Sequence, residues 1–438
     1  KNSLDMRIFI LLLMVGFWSV GYSQDTIQIS MEDLKQKSLE GNLAIKSAKN
    51  ETKLAEAEML ASRAMYLPNI LASYTFMNTN SPLNAFAFKL NQERIAMTDF
   101  NPDLLNNPKV ISDFATKFEI QQPIFNLDAI YMKKAGNVKS EVLKIKEQRT
   151  KEYIQLELNK AYMMLQLTYK IQSTLIEAKN TALANKKVID NYYANGMIQK
   201  PDVLYMDLRI NEIDNQIQFV NSNILNASDY LFLLLNEDAN DKVFKPTEEL
   251  EYNSLELDAD LRLNRYRKDI QAYEKSLEAF DYLVKSTRAK YLPRLNAFGS
   301  FEFHDHKFAR FRANNYLVGA QLQWQIFDGL KAKSEQVAYK ANQIKIKSEI
   351  EQYTQQSELE LKKISRQIED AEYKVKFAVS ALEQSKEAYR IRKDRYEQGL
   401  EKSSDLLNAE IMMSQKHLEY YQAVFEYNTA LAYYNFLK

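Results

Sequence analysis

Apolar positions along this chain change period four times, and the changes come in matched pairs. A 3.6-residue rhythm opens at Ser30-Met31-Glu32-Asp33, which has the form of a helix-capping box, and continues through Leu34, Leu39, Leu43, Ile45, Leu54 and Met59 to about Met65. At Leu67-Pro68 it gives way to alternation. Ile70, Ala72, Tyr74 and Phe76 take one face, and Asn69, Ser73 and Thr75 the other. Residues 78–113, with Pro82, Pro102 and Pro108, read as a long exposed loop. Phe114 to Phe125 alternates again, which predicts a hairpin of strands at about 67–77 and 114–125. From Asp128 to Ala194 only Gly136 interrupts a helix, a rod of about 100 Å. Asn195-Gly196 stops it, and Pro201-Asp202 starts a second helix that runs to about Leu235.

The pattern then repeats. Residues 241–257 are acidic and aperiodic and read as a connector. A helix is expected from about Asp258 to Lys290, strands at about 292–303 and 316–327, a helix from about Lys331 to Gln398, and a last helix from about Ser403 to Phe436. In the strands Leu295, Ala297, Phe301 and Phe303 oppose Asn296, Phe298, Ser300 and Glu302. Val318, Ala320, Leu322, Trp324 and Ile326 oppose Gly319, Gln321, Gln323 and Gln325. Three landmarks recur in order: RAMYLP with Pro68 and RAKYLP with Pro293 at the helix-to-strand junctions; Ile124-Phe125-Asn126 and Ile326-Phe327-Asp328 where strand returns to helix; and YANG with Asp202 against YEQG with Asp405, each acid six residues past its glycine. This is a duplicated unit, residues 24–240 and 258–438.

Composition narrows what such a unit does. Lys plus Arg balances Asp plus Glu at 58 each, which gives no electrostatic case for nucleic acid. The absence of Cys excludes disulfides, thiolate metal sites and a lipid-modified Cys. Lys1 and Arg7 precede an apolar run from Ile8 to Trp18, with Gly21 and Ser23 before Gln24, so residues 1–23 read as a secretory signal peptide. No later run has the length of a membrane helix.

Each expected strand is about as long as a tilted strand that crosses hydrocarbon. Apolar-out, polar-in alternation is the signature of a membrane barrel, although a soluble antiparallel sheet carries it too. A sheet in lipid must close, and four strands are too few. Several copies are needed: two would give eight strands and a filled interior, three would give twelve and a channel.

The junctions RAMYLP and RAKYLP, the opening ISMEDLKQKSLEGN and the turns YYANGMIQKPDVL and YEQGLEKSSDLL resemble the TolC family of outer-membrane efflux proteins, in order and over nearly the whole mature chain. The resemblance implies a mixed α/β membrane protein: a homotrimer in which a long antiparallel α-helical barrel is continuous with a twelve-stranded transmembrane β-barrel. It implies an outer-membrane location in a Gram-negative bacterium with a long periplasmic extension. It implies an exit duct for substrates passed on by an inner-membrane transporter and a periplasmic adaptor, with no cofactor and no catalytic residue. Carried onto this chain, the adaptor-docking tips are Gly196, Pro201, Asp202, Val203 and Leu204, with Gly399, Leu400, Asp405, Leu406 and Leu407. The periplasmic aperture falls on Tyr396, Glu401, Lys402, Asp405 and Asn408. Two departures stand out: Glu401 where some relatives have an Arg that ties the entrance, and Asn408 where some carry a second acid. Asp202 and Asp405 equally suit plain stabilisation of a helix N-terminus.

Other chemistry finds little support. His304-Asp305-His306 lacks a third ligand for a metal. There is no phosphate loop and no nucleophile elbow. The alternative from another class is a soluble exported coiled-coil scaffold or adaptor, which leaves the four amphipathic strands without a purpose.

Overall fold

The computed structural model describes residues 25–254 and 262–438. The expected signal peptide at 1–23 and the end of the expected connector lie outside the described residues. In chain order the elements are β1 (Thr26–Ile29), α1 (Met31–Gly41), α2 (Leu43–Arg63), β2 (Asn69–Thr79), α3 (Pro82–Asn91), a 3-10 turn (Met97–Phe100), α4 (Pro102–Asn106), β3 (Ile111–Phe125), α5 (Leu127–Ala194), α6 (Lys200–Leu235), β4 (Val243–Pro246), α7 (Lys268–Ala289), β5 (Arg294–Asp305), β6 (Ala313–Gln323), α8 (Lys331–Glu397) and α9 (Ser403–Leu437). They fall into two compact units. Among the described residues, one holds 25–46, 150–254, 262–263 and 357–438; the other holds 47–149 and 264–356.

The first unit is helical around one small sheet. β1 and β4 pair in parallel, Ile27 opposite Phe244. Phe244 is fully buried and stacks on Phe232 of α6 at 4.1 Å between ring centroids. The capping box is present: Asp33 N donates to Ser30 Oγ at 3.1 Å, and Ser30 N to Asp33 Oδ2 at 3.2 Å. The helix expected to run unbroken from there divides at Asn42. Its Oδ1 accepts from the amides of Ala44 and Ile45, which starts α2, while its Nδ2 donates to Leu234 O at 2.7 Å. Just before it, Gly41 lies so close to α6 that a Cβ would stand 2.1 Å from the carbonyl oxygen of Leu235.

The second unit is a four-stranded antiparallel sheet in the order β2-β3-β5-β6, together with the helix segments that feed it. All four helix junctions lie at one end of the strands, and the β2–β3 and β5–β6 loops at the other. At each of the two junctions the proline directly precedes the strand, Pro68 before β2 and Pro293 before β5. The carbonyl of the preceding tyrosine accepts from a neighbouring side chain in both repeats: Tyr66 O from Gln122 Nε2 at 2.7 Å, Tyr291 O from Trp324 Nε1 at 2.9 Å. In the helical part Asp269 binds Arg149, Arg267 and the Tyr353 hydroxyl at 3.0, 2.7 and 2.8 Å. Burial pushes the Asp269 carboxyl up. The Arg267 and Tyr353 hydrogen bonds and the two guanidinium charges outweigh this and hold it below the usual carboxylate range.

Boundaries differ from expectation in three places. The helix expected from about Asp258 begins at Lys268, residues 262–267 being turn or irregular. Residues 78–113 are not bare loop, since they contain α3, the 3-10 turn and α4, with Pro82 and Pro102 each at a helix start. The last strand ends at Gln323 rather than Phe327, where Trp324 turns aside to bind Tyr291.

Candidate functional site

Two surfaces are candidates for function, one in each unit. The first is the sheet. Its register runs Ile120, Gly299 and Val318 in one row beside Ile70, and Phe118, Phe301 and Tyr316 in the next beside Ala72. Tyr74, Phe76, Phe114, Phe303, Ala320 and Leu322 continue the same face. This face is apolar and open: Ile70 is 67 % exposed, Val318 75 % and Leu322 70 %. The opposite face carries Asn69, Ser73, Thr75, Asp113, Gln121, Ser300, Asn315 and Gln321, and on it Lys117 binds Glu119 and Glu302 at 2.6 and 3.1 Å. A soluble protein turns the apolar face of a sheet to a core, whereas here the apolar face is uncovered. At about 3.3 Å per residue and a 40° tilt, eleven-residue strands stand about 28 Å tall, close to the height of an outer-membrane barrel's apolar band. β2 and β6 each pair on one side only among the described residues, so both edges are open.

The two loops at the far end go to opposite faces. The β2–β3 loop comes over the polar face: buried Gln92 donates to Ser112 O at 2.9 Å and to Asp113 Oδ1 at 2.8 Å, and Asp113 Oδ2 meets His304 Nδ1 at 2.8 Å. The β5–β6 loop lies on the apolar face, with Phe308 against Tyr74 and Phe114. Among the described residues no cluster of three or more side chains is arranged to hold a metal.

The second surface is the pair of turns α5–α6 and α8–α9 in the other unit. Both are Schellman closures, and they match atom for atom. Gly196 N donates to Tyr193 O and Met197 N to Tyr192 O; Gly399 N donates to Tyr396 O and Leu400 N to Arg395 O, all at 2.9 Å. The glycines have φ of +70° and +72°, the left-handed region that favours glycine. Pro201 opens α6 in its first turn, and Asp202 Oδ2 accepts from Gln199 N at 3.3 Å. Asp202 is therefore a helix-start group in this geometry. Asp405 makes no such bond among the described residues; its carboxylate lies 4.0 Å from Arg392 and remains 39 % exposed.

The site residues expected from sequence separate into outward and inward sets. Gly196, Pro201, Leu204, Gly399, Leu400, Lys402 and Asn408 are exposed, Val203, Glu401, Asp405 and Leu407 are half-buried, and Leu406 and Tyr396 are buried. Leu406 is thus a core residue, unavailable as a surface contact. The Tyr396 ring packs on Tyr192 at 5.4 Å, and Tyr192 donates to Glu397 O at 2.9 Å, which joins the two turns. Burial pushes the Tyr396 phenol up. Glu401 folds back onto its own helix pair, bound to Arg392 and Arg395 at 2.9 Å each. A groove of about 310 Å³ between Ile189, Asp202, Tyr205, Met206, Ser403 and Leu407 adjoins the turns.

One residue pair was invisible to sequence reasoning. Arg209 of α6 and Glu410 of α9 form a two-pronged ion pair, Nε to Oε2 at 3.0 Å and Nη2 to Oε1 at 3.3 Å, with 8 % and 0 % of the side chains exposed.

Residues 262–433 match the family described as outer membrane efflux protein. No curated protein matches the chain. Among solved structures, the Campylobacter jejuni CmeC outer membrane channel is 16 % identical, with a TM-score of 0.76 over 93 % of this chain and 85 % of that one. The outer membrane protein VceC of Vibrio cholerae is 14 % identical, at 0.74 over 92 % and 95 %. The open state of the Neisseria gonorrhoeae MtrE outer membrane channel is 15 % identical, at 0.73 over 93 % and 88 %.

Proposed function

We propose that this chain, whose residues 262–433 match the outer membrane efflux protein family and whose fold is similar to that of solved outer-membrane channels, is the exit duct of a tripartite efflux or secretion system. It conducts and does no covalent chemistry. The observation that carries this reading is the sheet with one uncovered apolar face and two open edges. Backbone groups at such edges must be paired in lipid, so the sheet closes with sister copies, and three of them supply twelve strands around water. The polar face then lines the lumen, and the protein resides in the outer membrane. A soluble scaffold accounts for none of this.

The helical hairpins form the periplasmic part of the duct, and their turns are its entrance. Exposed Met197, Leu204 and Leu400 supply apolar anchors for a periplasmic adaptor, which couples the duct to an inner-membrane transporter. Asp405, half-exposed and only loosely held by Arg392, gives each copy one carboxylate at the aperture, and a ring of them favours cations. Planar-bilayer recording of the purified protein tests the reading. Wild type is expected to form cation-preferring channels as a trimer, and Asp405→Lys to shift the reversal potential toward anions. A detergent-free monomer that leaves the bilayer sealed would refute the channel, and an unmoved reversal potential would refute the role of Asp405.

A further inference from the structure

The β5–β6 loop, Lys307-Phe308-Ala309-Arg310-Phe311-Arg312, alternates cations with aromatic rings. Both rings belong to the apolar side of the sheet. Phe308 packs edge-on to Tyr74 and Phe114 at 5.8 and 5.9 Å, and Phe311 to Phe303 at 5.6 Å. Both nevertheless stay largely open, 73 % and 57 % exposed. The loop's shape is set: Ala309 holds a left-handed φ of +54°, and its amide donates to the Tyr74 hydroxyl at 2.9 Å. Lys307, Arg310 and Arg312 are exposed, and none has an ion-pair partner among the described residues. The acids nearby are buried or bound to other groups. Asp305 and Asp113 are buried, Asp305 Oδ1 accepting from the Lys307 amide and lying 3.1 Å from His306 Nδ1 while its Oδ2 has no partner among the described residues, and Asp113 facing His304 and Gln92; Glu302 binds Lys117.

Three uncompensated cations thus sit at the end of the sheet away from the helix junctions, on the side that faces hydrocarbon, among rings suited to the lipid–water boundary. From residue 307 to 312 every charged side chain is a cation and all three are exposed, so the loop's surface is positive. A free anion would need no aromatic rings, and a protein partner would have to seat itself at membrane depth. We propose that this loop is a binding surface for the phosphate-bearing headgroups of outer-leaflet glycolipid: the guanidinium groups and the ammonium hold phosphate, and Phe308 and Phe311 lie at the top of the acyl chains. The proposal rests on reading the sheet as a barrel wall in the outer membrane.

The test is binding of a bisphosphorylated diglucosamine lipid to the detergent-solubilised protein, read by native mass spectrometry, beside its dephosphorylated counterpart and inorganic pyrophosphate. At about a fivefold loss per cation near an anionic membrane surface, the K307Q/R310Q/R312Q variant is expected to bind roughly 100-fold more weakly, and each single variant about fivefold. Removing three exposed helix lysines, Lys340, Lys347 and Lys363, is expected to change nothing. F308S/F311S keeps the charges and is expected to weaken the lipid but not pyrophosphate. Triple-variant affinity within threefold of wild type, or equal retention of the dephosphorylated lipid, overturns the proposal; so does displacement of the lipid by pyrophosphate at equal concentration, which would mark a free-anion site. Bilayer conductance of the same preparations separates the two levels. Channels without lipid discrimination sink this inference alone, whereas a wild type that forms no channels sinks the barrel reading and this proposal with it.

Discussion

Glu410→Ala strands the Arg209 guanidinium in the interface between α6 and α9. That guanidinium is 8 % exposed and, among the described residues, its acceptors are the two Glu410 oxygens, at 3.0 and 3.3 Å. Exposed pairs contribute little, but a charge left buried without its partner costs about 3–5 kcal/mol. At 1.36 kcal/mol per decade that is roughly two to four decades in the local opening equilibrium. Replacing both partners is a different experiment. R209M/E410L exchanges the pair for apolar side chains of similar length, and its expected stability is within about 1 kcal/mol of wild type. Amide hydrogen exchange along α6 and α9 in detergent is the suitable assay, because it reads local opening without requiring reversible unfolding of the whole chain. Protection in Glu410→Ala within tenfold of wild type would refute the reasoning, as would a double variant no better than the single one.

Gly41→Ala drives a methyl group into the Leu235 carbonyl and is expected to destabilise by at least about 1–3 kcal/mol, whereas Gly136→Ala, whose nearest atom lies 3.8 Å away, should stabilise by about 0.5–1 kcal/mol; thermal denaturation compares them. The depressed carboxyl of Asp269 contributes stability that is complete above its unfolded pKa of about 4 and is lost as pH falls through its lower folded value. Asp269→Asn should therefore flatten the melting curve's dependence on pH below about 4 while lowering stability at neutral pH, and an unaltered acid profile would count against the cluster. Glu401→Gln releases Arg392 and Arg395 and should move bilayer selectivity toward anions; an unchanged reversal potential would remove Glu401 from the aperture.

The long helices and the alternating strands were legible because each writes one period over many residues. So were the turns at Gly196 and Gly399, because a left-handed residue followed by a helix start leaves few sequence options. The parallel pair β1–β4 was not: four residues on each side are too short to show a period, and they meet across a separation of 217 positions. Asn42 was missed as a helix break because its side chain starts one helix while binding another, a tertiary role. Leu406 was placed with the surface leucines because a turn's neighbours look alike until the helix phase is known. Arg209 and Glu410 each read as one more charge on a charged helix, since nothing local marks which two of many will meet.

The unsatisfied margins of β2 and β6 bear on inheritance as much as on architecture. If the sheet closes with sister copies, as proposed, each copy shares its fate with the siblings it joins. A defective allele that still completes the ring but jams it would therefore spoil more assemblies than its share of the pool, and such alleles should appear dominant when co-expressed with the healthy gene. Alleles that spoil the margins themselves would be excluded from the ring and should appear recessive.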